Sequence, residues 1–246
     1  MEIMGTTAFV TGAAGGIGHC FVAALLERGA DRIYAADLAG KDFAVVDPRV
    51  VPVILDITND AAVARAAKSA SDVQLLINNA GVNLRAPFIA APSMAAARRE
   101  MATNYFGTLA MCRAFAPVLA AHRLSGGSAI VNLLSILGKV TLPNLGSYCA
   151  TKAALLRLSE GVRAELQGQG TRVVAVLPWA VDTAMSGPFP GEKTPPAEVA
   201  SAALDAVARG DDEVLVHDYS REIERRMRDD PKTLERELAA TFRSAP

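Results

Sequence analysis

The sequence is poor in cysteine, in aromatic residues and in net charge. Its three cysteines (Cys20, Cys112 and Cys149) lie far apart without paired spacing, so we expect neither a disulfide framework nor a metal site. The 25 Lys and Arg residues nearly balance the 26 Asp and Glu residues, which argues against a nucleic-acid-binding protein. Because 51% of the residues are hydrophobic and only 5% are aromatic, we expect a core of Ala, Val, Leu and Ile.

The chain also lacks a long uninterrupted apolar run. The longest stretch without an acidic residue, Lys or Arg, 3–26, contains five glycines and three threonines and is too polar for a membrane helix. Glu2 and the absence of a basic segment close behind it predict that there is no signal peptide. We therefore expect a cytoplasmic protein with no membrane partner and no nucleic-acid partner.

Short β-branched strands alternate along the chain with longer Ala-rich helices. The pattern predicts seven strands, at Thr7–Thr11, Arg32–Asp37, Val50–Leu55, Val73–Ile77, Ser128–Leu134, Arg172–Leu177 and Glu213–Val216. It predicts helices at Gly15–Glu27, Ala61–Ala70, Met94–Ala121, Tyr148–Gln167 and Pro196–Ala208. Strands joined through helices pair in parallel by right-handed crossovers. We expect an α/β fold in one domain, 1–246, with helices on both faces of a seven-stranded parallel sheet.

The segment after the last predicted strand, 218–246, is highly charged and favours helix, with a break at Pro231. Leu234, Leu238 and Phe242 follow at helical spacing and provide one narrow apolar stripe. Two interpretations stay open: a charged C-terminal helix docked on its own domain, or a subunit contact or lid over a ligand site.

A glycine-rich turn joins the first predicted strand to the first helix. Gly12, Gly16 and Gly18 would let the backbone approach a pyrophosphate held on the amides of the helix N-terminus. Asp37 ends the second strand, where a carboxylate can accept both hydroxyls of an adenosine ribose and repel a 2′-phosphate. Since Leu38 offers no cation for such a phosphate, the pattern predicts NAD rather than NADP. The alternative is a turn and a solvated acid without a ligand.

Tyr148 and Lys152 lie four residues apart at the start of a predicted helix, on one face. Ser135 ends the preceding strand, so its hydroxyl can reach the same crevice. A tyrosine that works near neutrality needs its pKa lowered by about three units, or about 4 kcal/mol. A cation about 4 Å away supplies roughly that much at an effective dielectric near 20. We therefore expect Lys152 to lower the pKa of Tyr148, unless the two are an ordinary pair on a helix surface.

Taken together, these motifs resemble those of the short-chain dehydrogenase/reductase family. The resemblance covers about residues 5–217 and rests on Thr11-Gly12-x3-Gly16-Ile17-Gly18, Leu55-Asp56-Ile57-Thr58, Asn78-Asn79-Ala80-Gly81 and Tyr148-x3-Lys152. It implies a Rossmann fold and hydride transfer between a nicotinamide cofactor and a secondary alcohol or ketone.

The resemblance also implies a catalytic tetrad of Asn104, Ser135, Tyr148 and Lys152. Tyr148 would exchange the proton, Ser135 would hydrogen-bond the substrate oxygen, and Lys152 would hold the nicotinamide ribose. Asn104 would bind a water that relays protons, or would tie elements together inside a helix, or both. The remaining cofactor contacts would come from Gly12, Gly16, Ile17, Gly18, Asp37, Asp56, Ile57, Asn79, Ala80, Gly81, Pro178, Val181 and Thr183.

The sequence departs from the family pattern after the sixth strand, where Trp179 replaces the usual glycine. If the backbone there needed a positive φ, a tryptophan would be strained; otherwise Trp179 lines the pocket or fills the core. The residues expected to contact the substrate are Leu137, Trp179 and Met185, with Val140, Leu142 and Phe189 nearby. Their apolar character favours an apolar substrate. Arg85 and Lys139 could instead receive an anionic one.

The family resemblance implies a homodimer or homotetramer built on the helices at Met94–Ala121 and Tyr148–Gln167. A non-enzymatic NAD-binding regulator or scaffold is the alternative to an enzyme. Two related enzyme classes are also open: sugar epimerases or dehydratases usually have other glycine spacing, and halohydrin dehalogenases lose the nucleotide loop. The intact loop and the complete tetrad favour a dehydrogenase or reductase.

Overall fold

Seven parallel strands form one sheet in the computed structural model, which describes residues 1–43, 46–123, 127–187 and 191–243. The strand order is β3-β2-β1-β4-β5-β6-β7, so the chain switches direction between β1 and β4. The strands are β1 (Thr7–Thr11), β2 (Arg32–Asp37), β3 (Val50–Ile54), β4 (Leu75–Asn78), β5 (Ser128–Leu133), β6 (Thr171–Pro178) and β7 (Glu213–Val216). The predicted parallel α/β fold is confirmed.

Helices cover both faces of the sheet and extend beyond its last strand. Their bounds are α1 (Gly16–Glu27), α2 (Asp60–Ser69), α3 (Ala95–Glu100), α4 (Thr108–Ala120), α5 (Gly146–Leu166), α6 (Pro196–Arg209), α7 (Asp218–Asp229) and α8 (Pro231–Arg243). In the described part of the chain, no helix combines the length and the apolar character that crossing a membrane requires.

Two apolar layers hold the helices on the sheet. One layer joins Phe21 and Leu25 of α1 to Leu204 of α6 over one face. The other joins Phe115 of α4 and Leu155 of α5 over the opposite face. The central strands β1, β4 and β5 are buried along their whole length, as expected of a parallel sheet covered on both sides. Each leucine or phenylalanine buried in this way contributes about 1.5–3 kcal/mol.

The long helix predicted at Met94–Ala121 is confirmed in extent, because helical backbone runs without a break from Ala95 to Ala120, but its middle is not α-helical. Between α3 and α4, residues Met101–Gly107 form a π-helical turn. Wider turns of this kind are rare and occur mostly at functional sites, and they carry no compositional signature. The turn places Asn104 on the inside of the fold, where it is buried.

The charged C-terminal segment forms two helices, α7 and α8, and the second begins at Pro231, where the sequence predicted a break. Leu234 and Leu238 of α8 are buried with Ile223 of α7 against Ile136, which follows β5. The side chain of Phe242, predicted to continue this stripe, lies outside the described residues. The pair is therefore docked on its own sheet, at the end where the strands terminate.

β3 is one edge of the sheet and contains Pro52. Its odd-numbered residues face β2: the Leu55 amide donates to the Asp37 carbonyl, and the Arg49 carbonyl accepts from the Ile33 amide. Because neighbouring residues of a strand alternate in direction, Pro52 directs its nitrogen away from the sheet.

Candidate active site

The carboxyl ends of the strands open into a cleft of about 1690 Å³, which runs from the glycine turn after β1 to α8. Single-ligand pockets are usually about 300–1,000 Å³, so this cleft has room for a dinucleotide and a substrate together. Most of the predicted site residues line it, namely Gly12, Gly16, Ile17, Asp37, Asp56, Ile57, Asn79, Ala80, Gly81, Ser135, Leu137, Tyr148, Lys152, Pro178, Trp179, Val181, Thr183 and Met185. Gly18 and Asn104 stand behind this wall.

The glycine turn depends on the absence of side chains. Gly12 has a φ of +65°, and a Cβ there would lie 2.9 Å from the Cα of Ala80. A Cβ on Gly18 would overlap the Gly12 carbonyl oxygen, so Gly18 lets the first turn of α1 pack directly on the loop. No acidic residue occupies that first turn, which leaves the positive end of the helix dipole open to an anion.

Asn79 fastens this turn to the end of β4. Its Nδ2 donates to the carbonyls of Thr11 and Gly12, both at 2.9 Å. The Thr11 hydroxyl in turn accepts from the amides of Asn79 and Ala80, at 3.0 and 3.1 Å. The predicted cofactor residues after β1 and β4 thus form one hydrogen-bonded unit that fits a pyrophosphate cradle.

Asp37 is half-buried beside the glycine turn and uses both carboxylate oxygens. Oδ2 accepts from the Ala14 amide at 3.0 Å, and Oδ1 accepts from the Leu38 amide at 2.8 Å. A carboxylate oxygen has two lone pairs, so each can still receive a ribose hydroxyl. Lys41 also lines this end of the cleft, and it is a cation that the sequence analysis overlooked. Asp56, the predicted adenine-pocket acid, accepts from the Thr58 amide and hydroxyl at 2.9 and 2.7 Å.

Tyr148 and Lys152 both belong to the first two turns of α5. Lys152 is only 5% exposed, and its Nζ donates to the Leu133 carbonyl at 2.8 Å. The same Nζ lies 5.5 Å from the centroid of the Tyr148 ring. Burial lowers the pKa of Lys152 to about 8, so its ammonium group stays charged at neutral pH.

The expected lowering of the Tyr148 pKa by Lys152 is wrong for this structure. Burial raises the pKa of Tyr148 above its ordinary value, and the charges of Cys149 and Glu100 act in the same direction. The physical reason is desolvation, which penalises the phenolate and here outweighs the attraction of the neighbouring cation.

Ser135 lies at the end of β5 and is buried except for its approach from the cleft. Its Oγ accepts from the Leu137 amide at 3.2 Å and lies 3.5 Å from the Pro178 carbonyl. The bond to Pro178 is at the long limit, so the hydroxyl hydrogen can turn toward a substrate oxygen at little cost.

Asn104 ties the loop after β4 to α5. Its Oδ1 accepts from the Val82 amide at 2.8 Å, while Nδ2 donates to the Val82 carbonyl at 2.9 Å and to Thr151 Oγ1 at 3.0 Å. Both amide hydrogens are therefore used, which is the structural role left open above. Gly81 permits this arrangement, because a Cβ there would lie 3.2 Å from Asn104 Oδ1. The water relay remains a prediction.

Trp179 shows no backbone strain, since its φ is not in the left-handed region. Its ring centroid lies 4.2 Å from that of Tyr219, with 48° between the planes, and its amide donates to the Val216 carbonyl at 3.4 Å. The side chain lines the cleft and also packs against the apolar cluster beneath α8. Trp179 therefore both lines the pocket and fills part of the core, the two roles that the sequence analysis left open.

The C-terminal helices supply cleft residues that the sequence analysis missed. His217, Tyr219 and Leu238 line the cleft next to Trp179. His217 has a φ of +83°, a conformation that non-glycine residues adopt at an energetic cost. The sequence analysis left open a lid of the C-terminal segment over a ligand site, and these residues do border the cleft. Which residues do so depends on the direction in which α7 leaves β7.

Of the two cations considered for an anionic substrate, Lys139 is excluded. Its Nζ lies 2.6 Å from Glu213 and 3.0 Å from Glu224, so its charge is already paired. Arg85 spans the cleft mouth and donates to the carbonyls of Met185 and Ser186, which follow β6.

Two other expectations concern the cleft lining. Leu142 lines the cleft, whereas Val140 packs beneath it against Ile136; Phe189 lies outside the described residues. Across the ranges that the structure describes, no group of His, Cys, Asp and Glu could hold a metal ion.

Comparison with known proteins identifies the family. A family model of short chain dehydrogenases matches residues 6–193. A sorbitol dehydrogenase from Cereibacter sphaeroides is 33% identical over 190 residues, covering 74% of this chain and 73% of that protein. Carbonyl reductase (NADPH) 2 from Sus scrofa is 33% identical over 188 residues, covering 75% of each chain.

A solved structure extends the likeness to nearly the whole chain. The crystal structure of a short chain dehydrogenase from Burkholderia cenocepacia J2315 in complex with NADP has a TM-score of 0.92 and 47% identity, covering 97% of this chain and 99% of that one. The chain therefore belongs to the short-chain dehydrogenase/reductase family and is an oxidoreductase that acts on alcohol or carbonyl groups.

Proposed function

We propose that this protein transfers a hydride between NAD(H) and an apolar secondary alcohol or its ketone, with Tyr148 exchanging the proton. The observation that carries the proposal is the convergence of Ser135, Tyr148 and Lys152 on one wall of the cleft that begins at the glycine turn. When bound there, the nicotinamide ring accepts or donates the hydride.

The three side chains divide the work on the substrate oxygen. Ser135 Oγ donates a hydrogen bond to this oxygen and stabilises the charge that develops on it. Tyr148 donates a proton to the oxygen in reduction and accepts one in oxidation. Because burial raises the pKa of Tyr148, the phenol is protonated at neutral pH, the form that serves reduction. Lys152, charged at that pH, holds the nicotinamide ribose and favours the phenolate when oxidation requires it.

Replacing Tyr148 tests the assignment. We expect Tyr148→Phe to abolish turnover while cofactor affinity stays within about twofold, because the variant removes only the hydroxyl group. NADH formation should be followed across secondary alcohols that include sterols, aryl alcohols and sugar alcohols, with NAD⁺ and NADP⁺ in parallel. Tyr34→Phe is the matched control, since the Tyr34 hydroxyl bonds Asp72 at the far edge of the sheet. Retained turnover in Tyr148→Phe would exclude Tyr148 as the proton-exchanging residue.

The proposed preference for NAD rests on Asp37. Its carboxylate faces the cleft where an adenosine ribose would lie, and a 2′-phosphate there would meet a negative charge. The similar protein from Burkholderia cenocepacia is in complex with NADP, and Lys41 of this chain could attract a phosphate, so the preference needs a direct measurement.

We expect Asp37→Ala to weaken NADH binding about tenfold to a hundredfold, the value of hydrogen bonds to a charged group, and to leave NADPH binding equal or stronger. Lys41→Ala should weaken NADPH binding alone. Energy transfer from Trp179, the single tryptophan of the chain, to the bound reduced cofactor measures both affinities without turnover. An unchanged NADH-to-NADPH ratio in Asp37→Ala would rule out this basis for selectivity.

The proposed apolar substrate is supported by the apolar residues that line the cleft beyond the nucleotide end, which are Leu137, Leu142, Leu145, Trp179, Met185, Tyr219 and Leu238. Asn144, His217 and Glu237 line the cleft as well. We also propose a cytoplasmic location, supported by three cysteines that are all unpaired.

A further inference from the structure

Glu100, the last residue of α3, is a fully buried carboxylate close to the proposed catalytic tyrosine. Its side chain is 0% exposed and does not line the cleft. Oε1 accepts from the Leu84 amide at 2.6 Å, and Oε2 lies 2.5 Å from the Ser147 hydroxyl. The Ser147 hydroxyl also lies 3.3 Å from the Ala86 carbonyl. Glu100 thus joins the loop after β4 to the first turn of α5.

This link repeats the geometry of Asn104 one helical turn earlier. Asn104 joins Val82 of the same loop to Thr151 of the same helix, as described above. Glu100 and Asn104 are four residues apart, and so are their partners Ser147 and Thr151. Thr151 immediately precedes Lys152, and Ser147 immediately precedes Tyr148. Each of the two proposed catalytic side chains of α5 therefore follows a residue that is tied to the loop.

A carboxylate is a costly choice for a purely structural link. Burying it away from water costs several kcal/mol unless strong hydrogen bonds compensate. In the described ranges no Lys, Arg or His forms an ion pair with Glu100. Asn104 shows that an uncharged amide can make the same kind of link four residues away. The negative charge at position 100 therefore calls for a role that an amide would not fill.

We propose that Glu100 is a positioning residue for Tyr148, which it holds in place through Ser147 while it holds the substrate-side loop through Leu84. The inference rests on the proposed function, because it assigns Glu100 to the residue that exchanges the proton.

The charge of Glu100 gives this role a measurable signature. Together with burial and with Cys149 of α5, it raises the pKa of Tyr148. Lys152 on α5 lies 5.5 Å from the centroid of the Tyr148 ring. Arg85, Arg99, Glu192, His217, Tyr219 and Glu237 line the same cleft. None of them changes in a Glu100→Gln variant. Gln keeps an oxygen for the Leu84 amide and offers an N–H to the Ser147 hydroxyl, which can then donate to the Ala86 carbonyl.

The test is the pH profile of kcat/KM for alcohol oxidation. In Glu100→Gln we expect the alkaline rise, which reports loss of the Tyr148 proton, to move to lower pH by about one unit, a typical effect of one charge at an effective dielectric near 20. Ser147→Ala keeps the charge of Glu100 but removes its hydrogen bond to α5, so kcat should fall about tenfold without a shift of the pH profile. Ser147→Thr, which keeps a hydroxyl group, should restore kcat. Glu165→Gln, an exposed glutamate on α5, is the matched control and should leave the profile unchanged.

The outcomes distinguish failure of the positioning role of Glu100 from failure of the proposed function. A wild type that turns over together with an unshifted Glu100→Gln profile would overturn the positioning role and leave the proposed function standing. A wild type without turnover on the alcohols would overturn both. If Glu100→Gln lowers activity only through poor folding, its thermal unfolding shows this, and Ser147→Ala with its Thr rescue still decides whether the link matters.

Discussion

At the scale of single residues, the site depends on ionisable groups that are buried at a cost in stability. Lys152 keeps one hydrogen bond, to the Leu133 carbonyl, and burial lowers its pKa from 10.5 to about 8. Below pH 8 the native and unfolded chains both bind its proton, so Lys152 does not contribute to the pH dependence of stability. Between pH 8 and 10.5 only the unfolded chain keeps the proton, and the free energy of unfolding rises with pH.

We expect this contribution of Lys152 to reach about 1.4 kcal/mol per pH unit, or roughly 3 kcal/mol over the whole window. Urea unfolding of the wild type and of Lys152→Met at pH 7.5, 8.5 and 9.5 measures it as a difference. The wild type should gain stability relative to the variant as the pH rises. Groups common to both proteins, such as the Cys112 thiol, whose pKa burial raises to about 12, cancel in that difference. If the free energy of unfolding changes with pH equally in the wild type and in Lys152→Met, burial does not lower the pKa of Lys152 in the native protein.

At the scale of elements, the decisive contact is that of α1 with the glycine turn. The helix begins at Gly16 and approaches the turn so closely that Gly18 has no room for a methyl group toward the Gly12 carbonyl. Gly161, on α5, offers the opposite case, because a Cβ there meets nothing within 4 Å. Comparing substitutions at the two glycines distinguishes the steric requirement at Gly18 from the general effect of replacing a glycine in a helix.

We expect Gly18→Ala to lower the free energy of unfolding by about 1–3 kcal/mol, as overpacking does, and to weaken cofactor binding by at least about tenfold. Gly161→Ala should leave cofactor binding intact and raise stability by up to about 1 kcal/mol. Denaturant unfolding and NADH fluorescence measure the two effects. Equal behaviour of both variants would show that the turn adapts to a side chain.

The sequence was sufficient for elements whose pattern is local. β1, β2 and β7 have the predicted bounds, because each is a short apolar run between turn residues. β4 begins two residues after its predicted start, at Leu75, and α5 begins at Gly146, two residues before Tyr148. Helix ends depend on backbone conformations that composition specifies poorly.

Site residues could be predicted from the sequence where they belong to a short motif with a known chemical role. They could not be predicted where their burial depends on contacts between distant parts of the chain. Glu100 follows two arginines in the sequence, a pattern typical of a solvated helix face, and only the π-helical turn and the loop after β4 bury it. The pKa of Tyr148 was misjudged for the same reason, since a sequence shows the neighbouring cation but not the desolvation.

At the scale of the whole molecule, large apolar side chains are exposed on the segments around α3 and the π-helical turn, namely Phe88, Ile89, Met94 and Phe106, of which Phe106 is 59% exposed. Exposed apolar side chains that form a contiguous surface usually mark a contact. We propose that a second copy of the chain covers Phe106 and the helix that carries it, in agreement with the predicted homodimer or homotetramer built on Met94–Ala121.

We expect Phe106→Glu to reduce the molecular mass in solution, because a carboxylate in such a contact would be desolvated without a partner. Light scattering coupled to gel filtration measures the mass. Ile54→Glu is the control, since Ile54 is 76% exposed on β3, at the other end of the sheet. A mass that falls with Ile54→Glu and stays constant with Phe106→Glu would place the contact elsewhere.

Pro52 limits how the sheet can grow. It directs a nitrogen without hydrogen toward the open side of β3, and the neighbouring Val50 amide is already bonded to the Asp47 carbonyl. A strand from another molecule would find few donors along this border and could form no regular ladder with it. Fibrillar stacking through β3 is therefore disfavoured, even when the protein is crowded.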